Sequence, residues 1–157
     1  MDHDSATGYP RIWAACIVGY MNKEKLLQDW ITAEGGRPDM YKDTKGLWTI
    51  GYGWNIQERP MRKSEMMFRL TNDMEETEVE MDVRIPWWRN LPADAQNAVF
   101  EMFMNMGWPV FSKFKKMIAA LQAGNFEEAA VQALDSKWKD DVGPTRSGRI
   151  ADMIRNA

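Results

Sequence analysis

The sequence is poor in the residues that most hydrolytic and metal-dependent sites require. It contains one cysteine, Cys16, and one histidine, His3, among 157 residues. A single cysteine allows neither an intramolecular disulfide nor a cysteine-rich metal cage. A single histidine does not provide the base or the zinc ligands that serine hydrolases and zinc enzymes usually recruit. Carboxylates are therefore the leading candidates for an acid and a base, and we expect no cofactor and no metal.

The chain also lacks a basic excess and a long apolar run. Its formal net charge is −3, whereas a nucleic-acid-binding domain normally has a clear basic footprint. We therefore expect no nucleic-acid partner and interpret "SKFKK" (112–116) as a solvated helix face. The apolar run from Ile12 to Met21 has ten residues, about half of the ~20 that span a bilayer. It is either a buried helix or the end of a longer polypeptide, and we expect no stable membrane insertion.

Hydrophobic periodicity predicts several helices and one small β segment. Residues 22–36 form a predicted helix that Asn22 caps and a glycine pair ends, and residues 40–55 form a predicted β-hairpin. A long methionine-rich helix follows from Met61 to about Met81, and the rest is helical, with "VGPTRSG" (142–148) as a loop. This pattern indicates an α+β fold whose strands are segregated into one small lobe.

We divide the chain into four parts. They are an N-terminal extension (1–21), a small lobe with the first helix and the hairpin (22–60), a connecting helix (61–82) and a helical C-terminal lobe (83–157).

Three polar residues in the small lobe have a spacing that suits glycosidic bond hydrolysis. Glu34 lies at the predicted helix end, where the helix dipole disfavours a negative charge. Asp43 lies in the hairpin turn, and Thr49 lies six residues further on. Hydrolysis of a glycosidic bond needs one carboxylic acid and usually a second carboxylate across the bond. Spacing alone also fits three unrelated surface residues.

The segment "EGGRPDMYKDTKGLWTIGYG" (34–53) closely resembles the bacteriophage lysozymes of glycoside hydrolase family 24. Their signature is a glutamate, eight residues, an aspartate, five residues, and a threonine opening a "TIGxG" strand, a spacing that this chain reproduces. Further similarity lies in "FMNMG" (103–107), "EEAAVQALDSKW" (127–138) and "GPTRSGR" (143–149). The resemblance implies a lysozyme-like fold in which a long helix joins the hairpin lobe to the helical lobe.

The resemblance also implies roles for individual residues. Glu34 is the expected general acid, Asp43 the expected activator of water, and Thr49 the expected group that positions that water. Arg146 is the expected orienting partner of Glu34, as an ion pair. The family's chemistry resembles a single displacement with inversion, which predicts carboxyl groups ~6.5–9.5 Å apart.

The expected substrate-binding residues are Trp54, Asn105, Lys137 and Trp138, with Trp48 as a further sugar contact. Trp54 stands where many relatives have a histidine, so an aromatic platform replaces a charged group. The connection "NIQERP" (55–60) is shorter than in the best-known members of the family, which predicts a more open cleft than theirs. Most of the other tryptophans, including the pair at 87–88, are predicted to be core residues.

The resemblance implies a muramidase that cleaves the β-1,4 bond between N-acetylmuramic acid and N-acetylglucosamine of bacterial peptidoglycan. Two alternatives are a lytic transglycosylase and a non-catalytic saccharide-binding module of a virion. We expect a monomer, either on its own or as a module of a larger virion protein. With no secretory signal in "MDHDSATGYP", we expect either a holin-type pore or an injection apparatus to deliver it to the cell wall.

Overall fold

The computed structural model describes residues 21–157, in which it has seven α-helices and one three-stranded antiparallel sheet. This arrangement confirms the predicted α+β class. The chain forms two compact units, one that ends at Met61 and one that spans Arg62–Ala157. Cys16, His3 and most of the apolar run that starts at Ile12 lie outside the described residues, and the four-part division stays a prediction.

The first unit begins with the helix that the sequence predicts. Helix α1 spans Lys23–Glu34, and Oδ1 of Asn22 accepts a hydrogen bond from the amide of Lys25 at 2.9 Å. This is the capping contact that an asparagine at the helix start favours. The helix ends where the amide of Gly35 donates to the carbonyl of Ile31. Its end therefore fixes where Glu34 leaves the helix.

The sheet has one strand more than the predicted hairpin. Its strands are β1 (Arg37–Lys42), β2 (Trp48–Gly51) and β3 (Trp54–Asn55), paired in chain order. The predicted turn is confirmed, since the amide of Gly46 donates to the carbonyl of Asp43 at 2.9 Å. The third strand arises because the chain reverses again after Gly51, so that Ile50 pairs with Trp54.

The second unit is helical throughout. Its α-helices are α2 (Lys63–Arg84), α3 (Ala93–Phe111), α4 (Lys115–Gln122), α5 (Phe126–Leu134), α6 (Trp138–Val142) and α7 (Pro144–Arg155). The prediction of a loop over 142–148 is wrong for most of that segment, because α7 starts at Pro144. Proline suits the first position of a helix, where its missing N–H is not needed. Arg146 therefore lies in the first turn of a helix.

The core of the second unit lies mainly between α3, α4, α5 and α7. Its largest fully buried side chains are Met81, Met102, Phe103, Phe111, Met117, Leu121, Ile150 and Ile154. Trp88 is buried as predicted, and its indole N–H donates to Asp82 Oδ1 at 2.8 Å. In α2, Met81 is the one buried residue. Most tryptophans other than the sugar contacts are predicted to be core residues, but Trp30 in the first unit is exposed.

Gly107 interrupts helix α3 with a backbone conformation of φ 67° and ψ 166°. This region is essentially restricted to glycine and costs about 1–3 kcal/mol for other residues. We therefore expect Gly107→Ala to lower the free energy of unfolding by about that amount, as measured by urea denaturation. Gly148 is the matched control because it lies inside α7 with open space around its Cα. Gly148→Ala should raise stability, and equal losses in both variants would contradict this account.

Candidate active site

Glu34 lies at the C-terminal end of α1, against the turn between β2 and β3. A methyl group added at Gly53 would lie 2.7 Å from Oε2 of Glu34, so the carboxylate contacts the main chain at that glycine. The indole N–H of Trp30 donates to the carbonyl of Tyr52 at 3.4 Å and ties the helix to the same turn. The glutamate is thus held beside the sheet within the first unit.

The carboxylate of Asp43 is fixed by the turn that it begins. Its Oδ1 accepts hydrogen bonds from the amides of Lys45 at 2.8 Å and Leu47 at 2.9 Å. Both bonds use the same oxygen, and the structure gives Oδ2 no hydrogen-bond donor among residues 21–157. A carboxylate oxygen of this kind has free lone pairs and can accept a hydrogen bond from water or take up a proton. The local turn therefore orients the group and leaves one oxygen available.

Thr49 shares a partner with Asp43. Its hydroxyl donates to the carbonyl of Leu47 at 3.2 Å, and the residue is 3% exposed. Because the hydroxyl hydrogen is committed to Leu47, the lone pairs of Oγ1 are left to accept a hydrogen bond. Leu47 thus anchors both side chains, because its amide donates to Asp43 and its carbonyl accepts from Thr49.

The register of the sheet separates Trp54 from Thr49. Thr49 pairs with Asn55, whereas Trp54 pairs with Ile50, and neighbouring positions of a strand face opposite sides of a sheet. Trp48 also lies on the Ile50 side, 41% exposed, and the ammonium of Lys42 lies 5.4 Å from its ring centroid. The sugar contacts predicted for both tryptophans stay predictions, on the sheet face that Thr49 does not occupy.

Arg146 is bound by a residue that the sequence did not suggest. Its Nε donates to Oε1 of Glu101 at 2.9 Å, and Arg149 donates to both oxygens of the same carboxylate at 2.6 and 2.7 Å. The hydrogen bond from Arg149, opposed by partial burial and aided by Arg146, lowers the pKa of the Glu101 carboxyl. The ion pair between Arg146 and Glu34 stays a prediction.

Three predicted substrate-binding residues line one groove of the second unit, with a volume of about 900 Å³. Asn105, Lys137 and Trp138 all contribute, and the indole N–H of Trp138 donates to Asn105 Oδ1 at 3.1 Å. Trp138 is 5% exposed, so it supports the groove wall more than it presents a ring face. The lysines of "SKFKK" also belong to the lining: Lys113, Lys115 and Lys116.

Within the described part of the chain, the side chains form no cluster suited to a metal ion. No group of three or more histidine, cysteine, aspartate or glutamate side chains could hold one there. None of the helices between residues 21 and 157 has the combination of length and apolar character needed to cross a membrane.

Comparisons of this chain with known proteins all point to one family. The phage lysozyme family model matches residues 31–151. The probable T4-type lysozyme 2 of Dictyostelium discoideum is 26% identical over 150 residues, 77% of this chain and 88% of that protein. The pre-baseplate central spike protein Gp5 of Enterobacteria phage T4 is 27% identical over 149 residues, 77% of this chain and 26% of that protein. Since the family model covers most of its length, the chain belongs to the phage lysozyme family, and this membership implies a peptidoglycan muramidase.

Proposed function

We propose that this chain hydrolyses the β-1,4 bond between N-acetylmuramic acid and N-acetylglucosamine, with Glu34 as the general acid and Asp43 as the activator of water. The observation that carries the proposal is the shared anchoring of Asp43 and Thr49 on Leu47. This anchoring holds two hydrogen-bond acceptors, the Asp43 carboxylate and the Thr49 hydroxyl, in fixed positions, and the chain belongs to a family of glycosidases.

The two anchored groups suit the activation of one water molecule. Oδ2 of Asp43 takes one proton from the water, and Oγ1 of Thr49 accepts a hydrogen bond from the O–H that remains, because each oxygen has lone pairs that no backbone donor occupies. The water then attacks the anomeric carbon of the muramic acid while a protonated Glu34 gives its proton to the leaving oxygen. This is the division of labour in an inverting glycosidase.

Glu34 needs a fixed position to act as the acid. The main chain at Gly53 limits the space on one side of its carboxylate. By resemblance to the family, we assign Arg146 as its orienting ion-pair partner, which also offsets the cost of a negative charge at the end of α1. This pairing is part of the proposal.

The groove that contains Asn105, Lys137 and Trp138 is the proposed place for the substrate on the helical unit. Its lining combines aromatic and amide groups with lysine ammonium groups. Peptidoglycan carries N-acetyl groups and carboxylates, which such a lining can hydrogen-bond and pair with.

The nature of the product ends tests this function. Purified Gram-negative peptidoglycan is digested with the chain, the products are reduced with borohydride, and the ends are identified by mass spectrometry. We expect reduced muramic acid ends. Anhydro-muramic ends would instead identify a lytic transglycosylase, which needs the glutamate but not the aspartate. Binding without any product would favour a saccharide-binding virion module.

The similarity to Gp5 supports a virion-associated alternative for the biological context. Gp5 is by its name a pre-baseplate spike protein, and the match covers 26% of it. The chain then acts on the cell wall either as a module of a larger virion protein or as a free enzyme that a holin-type pore releases. Both contexts use the same chemistry.

The contact between Gly53 and Glu34 provides a test of the glutamate's position. Gly51 and Gly53 both have positive φ, 61° and 76°, but only Gly53 has a neighbour that an added methyl group would meet. We expect Gly53→Ala to displace the Glu34 carboxylate and lower kcat by about 10- to 100-fold, because misplacement by about 1 Å has effects of that size.

Gly51→Ala is the matched control for this substitution. It introduces a similar backbone strain without a contact to Glu34, so we expect a comparable loss of stability and a much smaller loss of kcat. Initial rates on soluble peptidoglycan fragments and urea denaturation curves measure the two effects. Equal losses of kcat in both variants would mean that the loss comes from backbone strain in the turn and that kcat does not depend on the contact between Gly53 and Glu34.

A further inference from the structure

Helix α1 meets the turn between β2 and β3 without a buried core to hold it there. No residue of α1 is buried, and Thr49 is the one buried residue between positions 21 and 61. Glu34 is the last residue of this helix. Its position relative to the sheet therefore depends on a few individual contacts.

Tyr52 supplies one of these contacts through its ring. A methyl group added at Gly36 would lie 2.6 Å from Cε1, 3.0 Å from Cζ and 3.2 Å from Oη of Tyr52. Carbon atoms in ordinary contact are about 3.5–4.0 Å apart, so the outer edge of the ring lies directly against the main chain at Gly36. A side chain at position 36 would leave no room for the ring.

The register of the sheet explains why the ring and the glycine meet. Arg37 pairs with Gly51 in the antiparallel ladder of β1 and β2, so the next positions along it are Gly36 and Tyr52. An aromatic side chain opposite a glycine covers the main chain that the glycine leaves bare, and such pairs help to fix the register of strands. The ring thus ties the segment that follows Glu34 to the turn.

The other contacts between the helix end and the turn are made beside this ring. The carbonyl of Tyr52 accepts the indole N–H of Trp30 at 3.4 Å, and the main chain at Gly53 limits the space around the carboxylate of Glu34. The indole bond is longer than the usual 2.7–3.2 Å of an N–H···O hydrogen bond, so it adds little. The packing of Tyr52 on Gly36 is therefore the main apolar contact at this junction.

We propose that Tyr52 is a positioning residue of the hydrolytic reaction, whose ring sets the spacing between the end of α1 and the turn at 51–53 and so holds the carboxylate of Glu34 in place. This inference rests on the proposed function, in which Glu34 is the general acid. The ring acts through the glutamate, and the Tyr52 hydroxyl is not needed for this role.

Two other roles for Tyr52 make different predictions. The residue is 43% exposed, and a ring that stacked on a sugar would contribute to binding, so its loss would raise KM. A ring that only stabilised the first unit would contribute to the free energy of unfolding, and its loss would leave kcat of the folded protein unchanged. The split between kcat and KM separates these roles from positioning.

The test compares kcat and KM of Tyr52→Ala and Tyr52→Phe on soluble peptidoglycan fragments, with urea denaturation of both. We expect Tyr52→Ala to lower kcat about 10- to 100-fold with little change in KM, because a misplaced catalytic group has effects of that size. Phenylalanine keeps the ring carbons that meet Gly36, so Tyr52→Phe should stay within a few-fold of wild type. A rise in KM alone, or equal losses of kcat in the two variants, would overturn the inference.

Gly36→Ala tests the same contact from the other side and keeps the inference testable if Tyr52→Ala does not fold. The added methyl group displaces the ring, which is the movable partner of the contact. Gly35→Ala is the matched control, since Gly35 also has positive φ, 65° against 28°, but nothing lies within 4 Å of a methyl group added there. We expect the larger loss of kcat in Gly36→Ala, and equal losses would contradict the role of the contact.

A double-mutant cycle with Glu34→Gln shows whether Tyr52 acts through the glutamate. Coupled residues are not additive, so we expect Tyr52→Ala to cause little further loss of kcat once Glu34 is glutamine. Additive losses, with an active wild type and an impaired Glu34→Gln, would overturn this inference alone. No turnover by the wild type, or a wild-type rate in Glu34→Gln, would overturn the proposed function and this inference together.

Discussion

Glu34→Gln should lower the turnover of peptidoglycan by about 10²- to 10⁴-fold, the usual contribution of general acid catalysis. Glutamine has nearly the same shape, so it can keep the contact with the main chain at Gly53. Its amide cannot give a proton to the leaving oxygen, and the glycosidic bond must then break towards an unprotonated alkoxide. The loss should therefore appear in kcat, with binding nearly unchanged.

The control for this variant is Glu24→Gln. Glu24 lies in the first turn of the same helix and is exposed. The two substitutions remove the same charge from opposite ends of α1, so Glu24→Gln controls for the loss of charge, and urea denaturation of both variants reports their different effects on helix stability. Initial rates on soluble peptidoglycan fragments measure the difference. A Glu34→Gln variant within a few-fold of wild type would show that another residue is the acid.

Asp43→Asn should produce a comparable loss of about 10²- to 10⁴-fold. The asparagine oxygen can still accept the bonds from Lys45 and Leu47, so the turn should keep its shape. The other terminal atom becomes an NH₂ group, which donates where Oδ2 accepted. The variant should therefore fold normally, bind substrate and fail to activate water.

Asp39→Asn is the matched control because Asp39 is an exposed carboxylate of the neighbouring strand β1. Rates and unfolding curves of the two variants separate the loss of charge in the first unit from the loss of the base. A transglycosylase mechanism predicts a different result, in which Asp43→Asn retains most of the activity and yields anhydro ends. That outcome would contradict the assignment of Asp43.

The fold was predictable from the sequence where local signals are strong. Asn22 and Gly35 indicated the ends of α1, and the turn after Asp43 indicated the hairpin. The third strand has two residues, Trp54 and Asn55, which is too short for a period-two pattern. The start of α7 was missed because threonine, serine and glycine near Pro144 are also typical of turns.

The candidate site was predictable only in its local part. Asp43 and Thr49 lie in one hairpin, so their spacing along the chain carries most of their geometry. The face on which Trp54 lies depends on the register of β3, which its sequence does not encode. Glu101 gave no signal because its arginine partners lie 45 and 48 residues further along the chain.

The most direct test of the account is the configuration of the first product. Proton NMR follows the anomeric signal of the new muramic acid end during digestion of soluble peptidoglycan oligosaccharides, before mutarotation. Attack by one water that Asp43 activates inverts the β bond, so we predict that the α anomer appears first. An initial β anomer would contradict a single displacement and the role of Asp43 in it.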